Sequence, residues 1–276
     1  MKIELGWENS DRLYLHGEDV GRGSTVVLVH GWPCSSLVWE DLRAELLLAG
    51  FRVITYDRRG FGRSGRPSTG YDLDTLAEDL ARLMDVLELE DASVIGFDAG
   101  CSEITRMLGT FGTERVARIA LISPLPLGPK WCPGRAEGSA LARLRDGLRR
   151  DRYHALGVYM ETAFSTRIRA DLSSSRDVRQ IWLQEACGNS AVALRTMLEI
   201  FDDDLGEDAV RIKVPALIVS GSGDQIVPAR STEALAASLS LPRLVSFASA
   251  PHALLATHAE ELTRALLEFL PRRSTP

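Results

Sequence analysis

Six short apolar runs, most of them rich in β-branched residues, recur along the chain: VVLVH (26–30), FRVITYD (51–57), SVIGF (93–97), RIALIS (118–123), VPALIVSG (214–221) and RLVSFAS (243–249). A continuous apolar run of this length suits a strand covered on both faces. The stretches between them carry apolar residues at helical spacing, as in SSLVWEDLRAELLLAG, DLDTLAEDLARLMDVLEL and STEALAASL. Strand followed by helix, repeated, predicts an α/β chain with a mostly parallel sheet and helices on both faces.

Two departures from that rhythm set the expected organisation. At the start, KIELGWE and RLYLHGE flank the turn residues NSD and predict a hairpin. From Pro124 the segment PLPLGPKWCPG breaks the alternation, and helical patterns without strands follow to about residue 205. The expected division is a core of 1–124 and 206–276, with 125–205 as an inserted helical cap, or lid. Gly50 suits the stop of one helix, and Asp72 or Asp74 the cap of the next.

At 276 residues the chain is long enough to bury a large core. A net charge of -6 leaves no basic footprint for nucleic acid or an anionic membrane, so a small organic molecule is the expected partner. No apolar run reaches the length of a membrane span, and the opening MKIELGWENSDRL lacks a signal pattern, which predicts a cytoplasmic protein. Cys34, Cys101, Cys132 and Cys187 have neither CxxC spacing nor clustered histidines. Structural thiols are expected, with no metal and no cofactor. Cys101, three residues after Asp98, lacks the basic neighbour that an activated thiol needs.

Ligands gather at the carboxyl ends of parallel strands, where four polar residues fall: His30 in HGWP, Asp98 in GFDAG, Asp224 in GSGDQIVP and His252 in APHALL. Alone, each has an ordinary reading. Asp98 could cap the helix that starts at Ala99, Asp224 could be a turn residue, and His252 a loop histidine. Together they stand in the order nucleophile, acid, base. Asp57 ends a strand too, but structural pairing with Arg58, Arg59 or nearby backbone is expected of it. His16, His154 and His258 have no comparable setting.

The segments VVLVHGWP, YDRRGFGRS, GFDAGCSEITRML, ERVARIALIS, IKVPALIVSGSGDQIVP and SAPHALLATHAEE resemble the α/β-hydrolase superfamily, and within it the bacterial cofactor-free haloperoxidases and esterases. The resemblance implies that Asp98 occupies the nucleophile elbow, Asp224 orients the base and His252 is the base. It further implies an oxyanion hole made by the backbone N–H groups of Trp32 and Ala99. One departure matters chemically. Those haloperoxidases carry serine at the elbow and work through a seryl ester, whereas an elbow aspartate is similar to epoxide hydrolases and to haloalkane or haloacid dehalogenases.

A carboxylate, with a reference pKa of roughly 3.9, needs no base to become a nucleophile. On an acyl carbon it would form an anhydride; on a saturated carbon it forms an ester. An epoxide is therefore the expected target, ahead of an alkyl halide, with water activated by His252 cleaving the ester. Dehalogenases carry tryptophan after the nucleophile, where this chain has Ala99, so Trp131 or Trp182 would have to hold a halide. Epoxide opening needs a proton donor, commonly a cap tyrosine. Tyr153 and Tyr159 are candidates alongside His30 for substrate binding, and their spacing turns them about 240° apart on a helix, so that one faces the pocket.

Two other readings stand beside this one. Asp98 and His252 could shuttle protons in a non-hydrolytic cyclase, lyase or isomerase. The chain could also be an inactive or binding form, including one in which an elbow serine has been replaced. Two carboxylates beside His252 should raise its pKa, which hinders a base and helps an acid.

Overall fold

The computed structural model describes residues 1–8, 11–125, 128, 140–165 and 175–271. Its strands are β1 (Lys2–Glu8), β2 (Asp11–Gly21), β3 (Thr25–Val29), β4 (Arg52–Asp57), β5 (Ala92–Phe97), β6 (Val116–Ile122), β7 (Ala216–Gly221) and β8 (Pro242–Phe247). They form one sheet in the order β1-β2-β4-β3-β5-β6-β7-β8. β1 pairs antiparallel with β2, as the expected hairpin, and β2 pairs antiparallel with β4. From β4 to β8 every pairing is parallel.

The helices follow as α1 (Glu40–Leu48), α2 (Leu73–Val86), α3 (Ala99–Phe111), α4 (Ala140–Arg150), α5 (Arg152–Ala163), α6 (Ser175–Gly188), α7 (Ala191–Thr196), α8 (Gly206–Arg211), α9 (Ala229–Ser238), α10 (Leu254–Thr257) and α11 (Ala259–Phe269). A turn of 3-10 helix, Ser36–Trp39, leads into α1, so the single helix expected from SSLVWEDLRAELLLAG begins as a tighter coil. Asp72, rather than Asp74, caps α2 by accepting from the Thr75 N–H.

β5 and β7 are buried along their whole length, as their uninterrupted apolar sequences require. The edge strand β8 begins at Pro242 and is largely exposed, a position where a missing N–H is tolerated. Strand order reverses around β3: β4 lies on one side of it and β5 on the other. The crevice beyond the carboxyl ends of β3 and β5 is thus where a ligand is expected to sit.

Beneath this crevice runs a buried polar network. The Arg58 guanidinium is fully enclosed and pairs with Glu103 of α3 at 2.7 Å. Its Nη2 donates to the His30 carbonyl at 2.7 Å, while the Arg58 backbone N–H donates to His30 Nε2 at 2.9 Å. The Tyr56 hydroxyl donates to Glu103. A buried ion pair is tolerable only when its remaining polar atoms are bonded, and here the bonds join β3, β4 and α3.

Asp57 is structural, but not through Arg58 or Arg59. It accepts from Ser36 N–H at 3.0 Å, Ser36 Oγ at 2.6 Å and Arg63 N–H at 2.9 Å, while Arg59 pairs with Asp79.

Helices α4 to α7 lie between β6 and β7, in the interval assigned to a cap. They are bonded to the loops below. Asn189 donates to the Pro33 carbonyl at 2.9 Å and accepts from the Gly62 N–H at 2.8 Å, and the Ser190 N–H donates to the Gly60 carbonyl at 2.9 Å. Among the described residues no helix is long and apolar enough to cross a membrane.

Candidate active site

Asp98 sits at the turn between β5 and α3 with φ 50° and ψ -118°. That left-handed backbone is costly for a residue with a Cβ and recurs at functional turns. The turn is held by the Asp98 N–H on the Ile122 carbonyl at 3.0 Å and by the Cys101 N–H on the Asp98 carbonyl at 3.0 Å. Gly100 is required by the close approach of α3 to β3, since a Cβ there would lie 2.3 Å from the Val29 carbonyl oxygen.

The Asp98 side chain does not cap α3. Its Oδ2 accepts from the Trp32 backbone N–H at 2.8 Å, and its Oδ1 lies 3.2 Å from His252 Nε2. That second contact is too poorly aligned to be a hydrogen bond, and Oδ1 has no bonded partner. One carboxylate oxygen is therefore seated on an amide, and the other faces the charged His252 ring without an aligned hydrogen bond. On the far side, His252 Nδ1 donates to Asp224 Oδ2 at 2.8 Å. The other Asp224 oxygen accepts from the Ile226 and Val227 N–H groups, both at 2.8 Å, which fixes the acid.

His252 is enclosed at 1 % exposure. Burial works against its charged form, but Asp224 first and Asp98 second outweigh it and push the pKa up to about 10. At neutral pH the ring holds both protons.

A small, mainly apolar pocket lies against this triad, lined by Trp32, Phe97, Tyr159, Met160, Trp182 and His252 among others. Tyr159 is 8 % exposed, packs edge-on against Trp32 at 4.8 Å and has a buried hydroxyl without a hydrogen-bond partner. Burial first, and then the charge of Asp98, raises its pKa well above the ordinary tyrosine value, so it stays a proton donor.

Other expected site residues lie elsewhere. Tyr153 is 57 % exposed and its hydroxyl accepts from Arg152, so it is the tyrosine that the helical twist turns away. His30, expected at the substrate, has both ring nitrogens bonded to neighbouring protein groups. It is fully buried, with Nε2 accepting from Arg58 and Nδ1 bonded to the Gly31 carbonyl at 2.9 Å. Burial, then the Arg58 charge, pushes its pKa down to about 3, which keeps it neutral.

The Cys101 Sγ donates to the Ile122 carbonyl at 3.5 Å. Burial and then Asp98 push its pKa well up, the opposite of an activated thiol. Ala99 opens α3 directly after Asp98. Trp131 and Cys132 fall outside the described residues. Among the described residues no group of three His, Cys, Asp or Glu side chains could hold a metal ion.

Sequence reasoning missed Phe97, Cys34 and Met160 as pocket residues, and gave Trp182 only a halide role. Phe97 and Cys34 adjoin the GFDAG centre and HGWP, so proximity to those motifs was a usable signal. Met160 had none beyond its place next to Tyr159.

The family described as alpha/beta hydrolase fold matches residues 24–259. A non-heme chloroperoxidase of Streptomyces lividans is 34% identical over 253 residues, covering 90% of this chain and 92% of the relative. Among solved structures, a bromoperoxidase from Bacillus anthracis superposes with a TM-score of 0.91 at 32% identity, covering 98% of each chain. An esterase from Exiguobacterium antarcticum follows with a TM-score of 0.85 at 26% identity, covering 94% of this chain and 96% of its own.

Proposed function

The chain belongs to the α/β-hydrolase family, and from that premise we propose that it hydrolyses an epoxide through an ester formed on Asp98. The observation that carries this reading is the division of labour within one carboxylate: Oδ2 on the Trp32 amide, Oδ1 without an aligned hydrogen bond beside the charged His252. Oδ1 attacks a ring carbon, the C–O bond breaks, and the ring oxygen takes up a proton. The source of that proton is His252, which carries an extra one at neutral pH. The Tyr159 hydroxyl in the same pocket relays or shares it.

The consequence reaches into the second step. Esterification removes the charge of Asp98, one of the two that hold a proton on His252, so the ring becomes a usable base once the first proton has gone. Asp224 keeps the Nδ1 proton in place and leaves Nε2 to accept one from water. Water attacks the Asp98 carboxyl carbon, and the oxyanion develops on Oδ2, where the Trp32 N–H already sits. Ala99 N–H is the second donor implied by the family. Collapse breaks the bond from the Asp98 carboxyl carbon to the diol oxygen, which takes the proton from His252; the acid left on Asp98 then returns its proton to the ring, and one oxygen of that water stays in Asp98.

Halide displacement is less well supported. Ala99 offers no indole N–H, and the Trp32 indole N–H is taken by the Leu194 carbonyl at 3.2 Å. The halogenating and ester-cleaving activities named in the relatives are not carried over, because they require the elbow hydroxyl that Asp98 lacks. A second reading has one observation in its favour. A protonated His252 lying 3.2 Å from Asp98 is also a ready-made acid and base pair for an isomerisation or cyclisation without water.

The test quenches the natural chain with acid during turnover of a terminal aryl epoxide. A mass gain equal to the epoxide on the peptide that carries Asp98 is expected. Steady turnover with no adduct on that peptide at any quench time would reject the ester.

A further inference from the structure

A second cavity lies beside the catalytic pocket. A groove of about 800 Å³ lies between the 3-10 turn with α1, the cap helix α6, and α10 with α11. That volume falls within the range of pockets for small organic ligands. Its floor is apolar, with Val38, Leu42, Val178 and Leu255, and carboxylates from Glu40, Asp41, Glu45, Glu260 and Glu268 outnumber the single Arg264 along it.

Groove and catalytic pocket share a wall. Trp182 lines both. His252 and Ala253 line the pocket, and Leu255 and Ala256, two and three residues further along the chain, line the groove. The indole packs edge-on against Phe97 and Phe164, with ring centroids 6.1 Å and 5.4 Å apart, and neither contact is a hydrogen bond that its movement would break. Phe97 in turn lies 5.5 Å from the His252 ring.

We propose that this groove is the passage by which a neutral, apolar substrate reaches Asp98, with Trp182 as its gate. The chemical class rests on the epoxide reading above; the passage itself does not. The apolar floor takes up the hydrocarbon part of the substrate, and the carboxylates along the groove disfavour anions. Both the epoxide that enters and the diol that leaves are uncharged.

Cys34 is a reporter independent of catalysis, since it lines the pocket and its Sγ lies 4.0 Å from the Trp182 carbonyl oxygen. Modification of Cys34 in the full chain by methyl methanethiosulfonate is followed by peptide mass analysis, with Cys187 as internal reference. Filling the groove with Ala44→Trp together with Ala259→Trp is expected to slow Cys34 modification about fivefold, and Trp182→Ala to speed it about fivefold. Trp182→Phe replaces the latter should the larger truncation fail to fold. Glu45→Gln with Glu260→Gln is expected to raise the rate with a sulfonate-bearing reagent relative to its trimethylammonium counterpart.

Rates at Cys34 that match the natural chain in both the filled and the Trp182 variants would overturn the passage. An unmoved ratio between the charged reagents would overturn the charge selection. Because thiol modification does not use Asp98, failure here and failure of the ester reading are separately visible.

Discussion

Asp98 and a serine in its place would meet the same neighbours and do opposite chemistry. The carboxylate occupies the Trp32 N–H with its own oxygen, which leaves that donor unavailable to an incoming acyl carbonyl. An Asp98→Ser substitution frees the amide and removes one of the charges that hold a proton on His252. The expected outcome is a gain of esterase activity on p-nitrophenyl acetate with a burst of p-nitrophenol, on the order of a hundredfold above the natural chain, since an activated nucleophile and a freed oxyanion donor each supply such factors. The same substitution should lower the His252 pKa from about 10, read by NMR titration of the ring. At this scale Asp98, Asp224 and His252 were legible because each ends a strand-like run. His30 ends a run too, but it is bonded to Arg58, a partner visible only in three dimensions.

Among the elements, the elbow depends on how closely α3 lies over β3. Gly100→Ala would place a Cβ 2.3 Å from the Val29 carbonyl oxygen and 2.8 Å from that of His30, both backbone atoms that cannot turn aside. A loss of about 1–3 kcal/mol in urea unfolding is expected, with turnover reduced because Asp98 moves with the helix. The strands were legible from their apolar runs. What the pattern did not reveal is that β2 runs on to Gly21 and pairs antiparallel with β4, because a strand's local sequence carries no label for its partner. The tighter start of α1 was equally hidden, since apolar spacing does not separate the first turns of the two helix types. Between β6 and β7 the sequence showed helices but not that Asn189 joins them to the loops at Pro33 and Gly62.

For the whole molecule, the histidine links stability to pH. A histidine pKa of about 6.5 in the unfolded chain rises to about 10 in the folded one. The charged ring therefore stabilises the fold fully below about pH 6.5, and that contribution declines as pH rises through about 10. A progressive loss of stability with rising pH across this window is expected from the one group. Denaturant unfolding at a series of pH values should show the slope in the natural chain and lose it in His252→Gln. Activity depends on the same proton: if ring opening uses it, turnover falls as pH passes the His252 pKa, whereas a base acting from the resting enzyme would gain. The central claim is that Asp98 bonds to carbon. Single turnover of a terminal epoxide in heavy-oxygen water, followed by peptide mass analysis, tests it most directly. Heavy oxygen in the Asp98 carboxylate is the predicted result, and complete turnover with an unlabelled Asp98 would contradict it.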